Sequence, residues 1–463
     1  FRGQVYSTSA TAQLCEIMLR DSAHIQMFEA EWRNRKAARS GGKLKEFVPL
    51  YDMDAAVNVC KQFVGCEYDR VYDIAEGIKI RFTDVGHLLG SASIEVWATE
   101  KTENGDVTEK IVFSGDIGNI NKPIIKDPKH VRDADYVVME STYGNRSHGG
   151  TPNYVEDLTD IFKRTFERGG NVVIPSFAVG RTQELLYIIR KIKEDNLVGR
   201  DFDVYMDSPL AIEATNIFIK NVESCFDDEA VELVRKGINP LTFPGLKYAT
   251  TGDESKQINF DPNPKVIISS SGMCEAGRIR HHLKHNLWRP ECTIVFVGYQ
   301  AVGTTGRIIV DGAEEIKLFG EPIQIKAEIV QLQGSSGHAD KDGLLCWINA
   351  FDRKPKKVFV VHGEDSVCDE FTECLKEEYG YDAMAPYTGG SYDLIADRVI
   401  SEGVKERKTR RTTSTQRGKT VFDRLVAAGK RLMTVITHNE GGTNKDLAKF
   451  TDQINALCDK WDR

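Results

Sequence analysis

The arrangement of apolar and polar positions changes character along the chain. Apolar residues at helical spacing predict a helix over residues 8–39, which Ser40-Gly41-Gly42 would end. A second helix is predicted over residues 52–63, where Asp52 is a favourable N-cap. From there the pattern becomes β-like, and four stretches are predicted as strands: Ile78–Phe82, Ser93–Trp97, Lys110–Phe113 and Tyr136–Met139.

Strands and helices then alternate between residues 155 and 330. The predicted strands are Asn171–Pro175, Val204–Met206, Val266–Ile268 and Thr293–Val297. Helices are predicted over Arg181–Lys193 and Ala211–Val222. Such alternation is typical of a parallel, doubly wound sheet. The earlier part reads as antiparallel, with a strong hairpin signal at Asn104-Gly105. We therefore predict an α/β insertion near residue 155, after which the chain returns to its first domain near residue 330.

Four segments follow from this pattern: residues 1–155, 156–330, 331–398 and 399–463. The last segment contains Lys405–Thr420, which is rich in Lys and Arg with Ser and Thr between them. This composition predicts a solvated basic linker. Beyond it, apolar side chains recur at helical spacing and predict a docking face: Leu447, Phe450, Ile454, Leu457 and Trp461.

Composition places the chain among ordinary globular proteins. Of its 463 residues, 41% are hydrophobic and 28% are charged, which is enough to build a large core. The formal net charge of −8 excludes wholesale polyanion binding, so a nucleic acid would have to meet local basic patches. The ten cysteines show no regular spacing, which favours a reducing, cytoplasmic location. The sequence opens at Phe1, and neither a targeting signal nor a membrane span is expected in it.

Four chemically active side chains follow predicted strands or lie in loops of small residues. His87 and Asp116 come soon after two of the predicted strands of the first segment, and His362 directly follows an apolar, β-rich run. His338 lies between glycine and alanine, as a loop close to a ligand requires. Imidazole and carboxylate at several strand ends predict a metal site assembled by folding. The alternative is a capping role for His87 and a turn role for Asp116.

These motifs resemble the β-CASP branch of the metallo-β-lactamase superfamily, over roughly residues 1–395. The segments similar to family motifs are Gly86–Ser91, Ser114–Asp116, Glu140–Gly144, Ser336–Asp340 and Val361–Glu364. Pro175–Arg181 and Ser271–Arg278 are similar to parts of the family's inserted domain. The resemblance implies an αββα metallo-β-lactamase sandwich, interrupted by a parallel α/β β-CASP domain.

The resemblance also implies roles for single residues. Asp116 would bridge two Zn²⁺ ions, with His87 binding one and His362 the other. His338 would be the general acid, and Glu140 would orient it and raise its pKa. Two metal ions about 3.5–4 Å apart activate water and clamp phosphate oxygens in such hydrolases.

The family's His-x-His-x-Asp-His motif does not occur in this sequence. In the family it lies upstream of the region that residues 1–20 resemble, so we expect a preceding segment to carry it. Three protein ligands are too few for two metals that need about four each. Residues 1–463 alone are therefore expected to bind at most one metal weakly, to show no meaningful hydrolysis and to fold poorly.

The favoured function is that of a zinc-dependent ribonuclease that acts on single-stranded RNA. No membrane partner is expected. Endonucleolytic cleavage is favoured, with 5′–3′ exonuclease activity as a second mode. A His at the position of His362 resembles the RNA-processing members, whereas DNA-repair members usually carry Val. Two alternatives stay open, a DNA-directed nuclease of the same fold and a non-catalytic RNA-binding scaffold. A homodimer is one assembly that the chain could form.

Several other residues are candidates for substrate binding. Ser335 and Ser336 would donate to a phosphate or cap a helix, with equal weight for each. Arg278 and Arg307 would contact the RNA backbone, and the glycine-rich loop before Arg307 would be either part of that cleft or an ordinary turn. The cluster His281-His282-x-x-His285 favours a solvated or phosphate-contacting face over a metal site, since its spacing places only two imidazoles on one helical face.

Overall fold

A computed structural model describes residues 1–39, 47–103, 105–147, 153–332, 336–404, 429, 432–440 and 444–461. The chain divides into two compact units, residues 1–403 and 404–463. The first unit contains two large sheets, and the second contains helical residues.

The first large sheet has seven strands in the order β17-β16-β7-β6-β5-β4-β3. Its strands are β3 (Val71–Ala75), β4 (Ile78–Asp84), β5 (Ala92–Thr102), β6 (Gly105–Phe113), β7 (Tyr136–Glu140), β16 (Lys357–Val361) and β17 (Ala383–Met384). The strands β3 to β6 form an antiparallel meander, and β6, β7, β16 and β17 run parallel. A separate parallel pair joins β1 (Val5–Thr8) to β2 (Phe63–Cys66).

The second large sheet has six strands, all parallel, in the order β10-β9-β11-β8-β12-β15. Its strands are β8 (Val172–Pro175), β9 (Asp203–Asp207), β10 (Leu246–Tyr248), β11 (Lys265–Ser269), β12 (Thr293–Phe296) and β15 (Glu328–Gln331). Two small antiparallel hairpins pair β13 (Glu315–Leu318) with β14 (Glu321–Gln324), and β18 (Ser391–Asp393) with β19 (Arg398–Ser401).

Helices connect and cover the sheets of the first unit. They are α1 (Ser9–Arg39), α2 (Met53–Cys60), α3 (Tyr154–Glu167), α4 (Arg181–Glu194), α5 (Pro209–Lys220), α6 (Val222–Cys225), α7 (Asp228–Arg235), α8 (Gly252–Phe260), α9 (Ile279–Asn286), α10 (Thr305–Val310), α11 (Lys341–Ile348) and α12 (Asp365–Glu377). In the second unit, α13 spans Asn444–Trp461. None of the helices among these described residues is both long and apolar enough to cross a membrane.

The inner strands of the two large sheets are rich in apolar side chains, and burying these side chains stabilises the strands. All four residues of β8 and all five of β11 are buried, as expected for inner strands of a parallel sheet covered by helices. In the first sheet, Val112, Val137 and Val360 lie in one hydrophobic core. Burying a side chain of this size stabilises the fold by about 1.5–3 kcal/mol.

The predicted change from an antiparallel to a parallel sheet is confirmed, and so is the long first helix. Asp52 caps α2 as predicted, since its side chain accepts a hydrogen bond from the Ala55 backbone N–H at 2.8 Å. The helix predicted over Ala211–Val222 instead begins at Pro209. Ser208 caps this helix and proline suits its first turn, a local signal that the periodicity did not use.

Two predictions concern the chain beyond residue 403. The proposed basic linker Lys405–Thr420 lies outside the described residues. Helix α13 contains the predicted apolar stripe, in which Leu447, Phe450 and Ile454 are half-buried and Leu457 is exposed. Elsewhere, Asn104 of the predicted hairpin is also outside the described residues, and Thr102 pairs with Gly105 across the turn.

Candidate metal centre and catalytic cleft

The candidate site lies at one edge of the first sheet. Strands β4, β6, β7 and β16 run in the same direction, so their carboxyl ends meet there. His87 follows β4, Asp116 follows β6, Glu140 ends β7, and His362 directly follows β16. His338 comes from the loop before α11, and its backbone bridges to Gly118. The sheet thus collects side chains that lie far apart in the sequence.

Two glycines allow the loops at this edge to pack backbone against backbone. Gly86 has a φ of +65°, which favours glycine, and its N–H donates to Asp84 Oδ1 at 2.9 Å. A Cβ on Gly118 would lie 2.0 Å from the Gly86 carbonyl oxygen. A side chain at Gly118 would therefore displace the loop that carries His87.

The carboxylate of Asp116 lies between two imidazoles. Its Oδ2 is 3.9 Å from His87 Nε2, and its Oδ1 is 3.3 Å from His362 Nδ1. His362 has a φ of +52°, an uncommon conformation for a residue with a side chain, and its carbonyl accepts from the Ser141 N–H at 3.2 Å. Asp116 thus presents one oxygen to each imidazole, and His87, Asp116 and His362 are the residues that would hold metal here.

A buried carboxylate, Glu140, pairs with the half-buried imidazole of His338. His338 Nδ1 lies 3.1 Å and 3.2 Å from the two carboxylate oxygens. Glu140 is almost fully buried and also accepts from the Ile117 N–H at 2.5 Å, which fixes its orientation. Burial opposes a charged His338, but the hydrogen bond and charge of Glu140 outweigh it, so the pKa of His338 is raised. The pair therefore keeps a proton on His338 to higher pH than usual.

The donor atoms fit a divalent metal ion. His87, Asp116 and His338 each offer a ligand atom, and these atoms lie within 4.8 Å of one another. The buried Nδ1 of His87 has no hydrogen-bond partner among the described residues. Burial, with the nearby His338 and Lys122, lowers the pKa of His87 to about 4, so its imidazole is neutral and able to ligate. Imidazole and carboxylate are the donors that zinc takes outside cysteine sites.

A buried charge network supports the loop of His87, and the sequence analysis missed it. Lys122 Nζ donates to the His87 carbonyl at 2.8 Å and lies 3.4 Å from Glu184 of α4. Glu184 also pairs with Arg181 at 2.6 Å. Burial alone would raise the pKa of Glu184, but the two cations outweigh it and the pKa is lowered. The network joins helix α4 of the second sheet to the candidate metal loop.

We expect Glu184→Gln to lower the free energy of unfolding by about 3 kcal/mol, because it leaves the buried Lys122 ammonium without its full counter-charge. Urea titration of the two proteins would measure the difference. Glu76→Gln is the matched control, because Glu76 forms an exposed ion pair with Lys101 that contributes about 1 kcal/mol or less. Equal losses in both variants would show that the network gives no special support.

A cleft of about 1800 Å³ opens beside these residues. Met18, Ile25 and Phe28 of α1 line one part of it, and Phe177 and Tyr299 line another. The site residues His87, Asp116 and His338 also face this cleft. Its size and its exposed aromatic rings suit an extended chain with flat, apolar groups.

The predicted substrate-binding residues have different positions. Ser336 lines the cleft, and its Oγ accepts from the His338 N–H at 3.1 Å. Ser335 lies outside the described residues. Arg278 lines the cleft but donates to Asp207 at 2.7 Å and to two backbone carbonyls. Arg307 pairs with Asp311 at 2.8 Å and is not among the described residues that line the cleft.

The prediction of a solvated face for the histidine cluster is wrong for His282. This side chain is fully buried, and its Nε2 lies 2.6 Å from Asp207 Oδ2. Its Nδ1 lies 3.0 Å from Asn259 Oδ1. Helical spacing alone does not show that the end of strand β9 brings a carboxylate against this helix.

Comparisons with known proteins give the same picture. A family model described as the Beta-Casp domain matches residues 182–309. A second, described as the Zn-dependent metallo-hydrolase RNA specificity domain, matches residues 322–386, which include His338 and His362. Ribonuclease TTHA0252 of Thermus thermophilus is 33% identical over 365 residues, which cover 79% of this chain and 76% of that protein. The chain belongs to the β-CASP family of metallo-β-lactamase-fold ribonucleases.

For two other relatives of this β-CASP protein, the matched region covers less than two thirds of the relative's own length. Transcription termination factor FttA of Methanosarcina mazei is 31% identical over 395 residues, 83% of this chain and 58% of that protein. An RNase J-like protein of Methanocaldococcus jannaschii is 35% identical over 295 residues, 63% of this chain and 65% of that protein. The predicted family and fold class, a metallo-β-lactamase fold with an inserted parallel β-CASP domain, are thereby confirmed.

Proposed function

We propose that this protein is a metal-dependent ribonuclease that hydrolyses phosphodiester bonds of single-stranded RNA. The observation that carries the proposal is the position of Asp116 between His87 and His362, beside the Glu140–His338 pair. The proposed metal ligands and the proposed proton donor lie at one sheet edge, and His87, Asp116 and His338 line the cleft. Hydrolysis of a phosphodiester needs both.

In this proposal His87, Asp116 and His362 hold zinc, two ions in a complete site. Bound zinc supplies an acidified water and neutralises charge on the phosphate oxygens. The protein's own side chains do the rest. His338 keeps a proton available at the cleft and donates it to the leaving oxygen, while Glu140 holds the imidazole in place.

The cleft supports an unpaired RNA strand as substrate. Phe28, Phe177 and Tyr299 are exposed and line it, so bases can stack on aromatic rings, which double-stranded nucleic acid does not permit. Two of the relatives, a ribonuclease and an RNase J-like protein, also support RNA as the substrate. Endonucleolytic cleavage is the favoured mode, with 5′–3′ exonuclease activity as a second. Backbone contacts by Arg278, Arg307, Ser335 and Ser336 remain predictions.

The test uses the full-length protein with one sequence prepared as single-stranded RNA and as single-stranded DNA. We expect faster cleavage of the RNA, and binding that weakens steeply as salt rises, because phosphate contacts release counterions. A circular RNA of the same sequence tests endonucleolytic cleavage directly, since it has no end.

Each outcome separates one alternative. Equal cleavage of RNA and DNA would favour a DNA-directed nuclease of the same fold. RNA binding without cleavage, in protein supplied with zinc, would favour the non-catalytic scaffold. A linear RNA degraded from its 5′ end while the circle stays intact would replace the endonuclease with the exonuclease mode.

A further inference from the structure

The cleft contains cations that differ in how they are neutralised. Five Lys and Arg side chains line it: Lys122, Arg146, Arg181, Arg278 and Arg280. Three of them pair with carboxylates, since Lys122 and Arg181 contact Glu184, and Arg278 contacts Asp207. Among the described residues, neither Arg146 nor Arg280 has a carboxylate within ion-pair distance. Positive charge in the cleft is thus available at these two positions.

Both of these arginines stack on an aromatic ring. Arg146 Cζ lies 4.4 Å from the ring centroid of Tyr143, and Arg280 Cζ lies 4.9 Å from that of Phe319. Stacking restrains the guanidinium plane and leaves the N–H groups at its edge free to donate. A planar fork of donors matches two oxygens of one phosphate. Both guanidinium groups are therefore oriented to bind an anion, and no described carboxylate of the protein neutralises them.

Arg146 lies beside the catalytic pair. The Tyr143 ring on which it stacks also meets the His338 ring edge-on, with centroids 6.2 Å apart. The turn that carries Arg146 is held in place on both sides. Asn145 donates to Glu370 at 3.0 Å, and Ser147 donates to Asp342 at 2.7 Å. This anchoring fixes the backbone of Arg146 next to the position where a phosphate would react.

Arg280 approaches the same cleft from the second sheet. It lies in the first turn of α9, and His281 stacks on the same Phe319 ring with centroids 4.4 Å apart. The Nε of Arg280 is buried and has no acceptor among the described residues, so no described carboxylate or carbonyl holds that donor. Arg280 is therefore held in place by stacking on Phe319, and no described carboxylate pairs with its charge.

We propose that Arg146 and Arg280 bind backbone phosphates of single-stranded RNA, one from each sheet. Arg146 holds the phosphate next to the bond that is cut, and Arg280 holds a phosphate further along the strand. This inference rests on the proposed function and deepens it by identifying which cleft cations meet the substrate. Arg278 pairs with Asp207, so it offers the substrate less net positive charge than these two arginines do.

The experiment measures binding separately from cleavage. In the full-length protein carrying His338→Ala, fluorescence anisotropy gives the Kd of a labelled single-stranded RNA over a series of salt concentrations. Arg146→Gln and Arg280→Gln should each raise the Kd by about tenfold and lower the slope of log Kd against log salt by about 0.7. Arg146→Lys and Arg280→Lys should keep the slope, because they keep the charge.

Arg200→Gln is the matched control. Arg200 also stacks on an aromatic ring, Phe166, at 5.6 Å, and it is not among the described residues that line the cleft. This variant should leave both the Kd and the slope unchanged. Circular dichroism of all variants, with the Lys variants as folded references, separates lost binding from lost structure.

Unchanged Kd and slope in both Gln variants would overturn this inference, while RNA cleavage by the unsubstituted protein would still uphold the proposed function. A response at only one position would overturn the two-sided contact. Weakened binding in both variants of a protein that never cleaves RNA would uphold the inference and overturn the ribonuclease proposal. Absence of RNA binding by the parent would overturn both.

Discussion

Replacing His338 with alanine should slow RNA cleavage by about 10²–10⁴-fold and leave the bound metal unchanged. The reason is that His338 faces the cleft with its Nδ1 engaged by Glu140, which leaves Nε2 to donate a proton. Single-turnover cleavage and elemental analysis of the same samples would measure the two quantities. Metal loss together with activity would make His338 a ligand, which its distance to His87 and Asp116 also allows.

The Glu140→Gln variant should change how RNA cleavage depends on pH. Glu140 raises the pKa of His338, so the protonated imidazole persists to higher pH. Activity that needs this proton is present below the pKa and is lost as the pH rises through it. Removing the carboxylate charge lowers the pKa, and the alkaline loss of activity should move to lower pH. A pH profile that does not move would contradict the role of Glu140.

Replacing Asp116 with asparagine should lower both metal content and cleavage, the latter by about 10³-fold or more. Its carboxylate is the group that lies within reach of both His87 and His362, and an amide binds a divalent cation far more weakly. Elemental analysis and RNA cleavage, each before and after chelation and zinc addition, would measure the effect.

Asp106→Asn provides the control for this experiment, because Asp106 is exposed on the hairpin strand β6 that also leads to Asp116. It should retain metal and activity. Full zinc content and normal turnover in Asp116→Asn would contradict the ligand assignment. Normal zinc content with lost turnover would leave Asp116 a catalytic role without a binding one.

The sequence was sufficient to find the residues at the sheet edge. His87, Asp116 and His362 follow strands whose apolar pattern is local, and the carboxyl ends of like-directed strands must meet. The antiparallel-to-parallel change follows from the same short-range signals. These features were predictable because each depends on a few neighbouring residues.

Charge pairing was not predictable in this way. Arg278 is a predicted substrate-binding residue, but its guanidinium contacts Asp207, which is 71 residues away. Lys122 and Glu184 also meet across two sheets, so no spacing rule connects them. Arg146 lies two residues after the Glu140–Gly144 motif, and nothing in that local sequence shows that its side chain lines the cleft. Whether an arginine is free for a ligand depends on its neighbours in space.

Because β16 pairs with β7, the candidate site cannot form until late in the synthesis of the chain. His338 meets Glu140 across 198 residues, and His362 meets Thr142 across 220. A ribosome adds about 5–20 residues per second, so about 10–40 s separate the synthesis of these partners. During that interval the whole second sheet emerges first. A nascent chain therefore has no assembled site until β16 and the residues that follow it have been made.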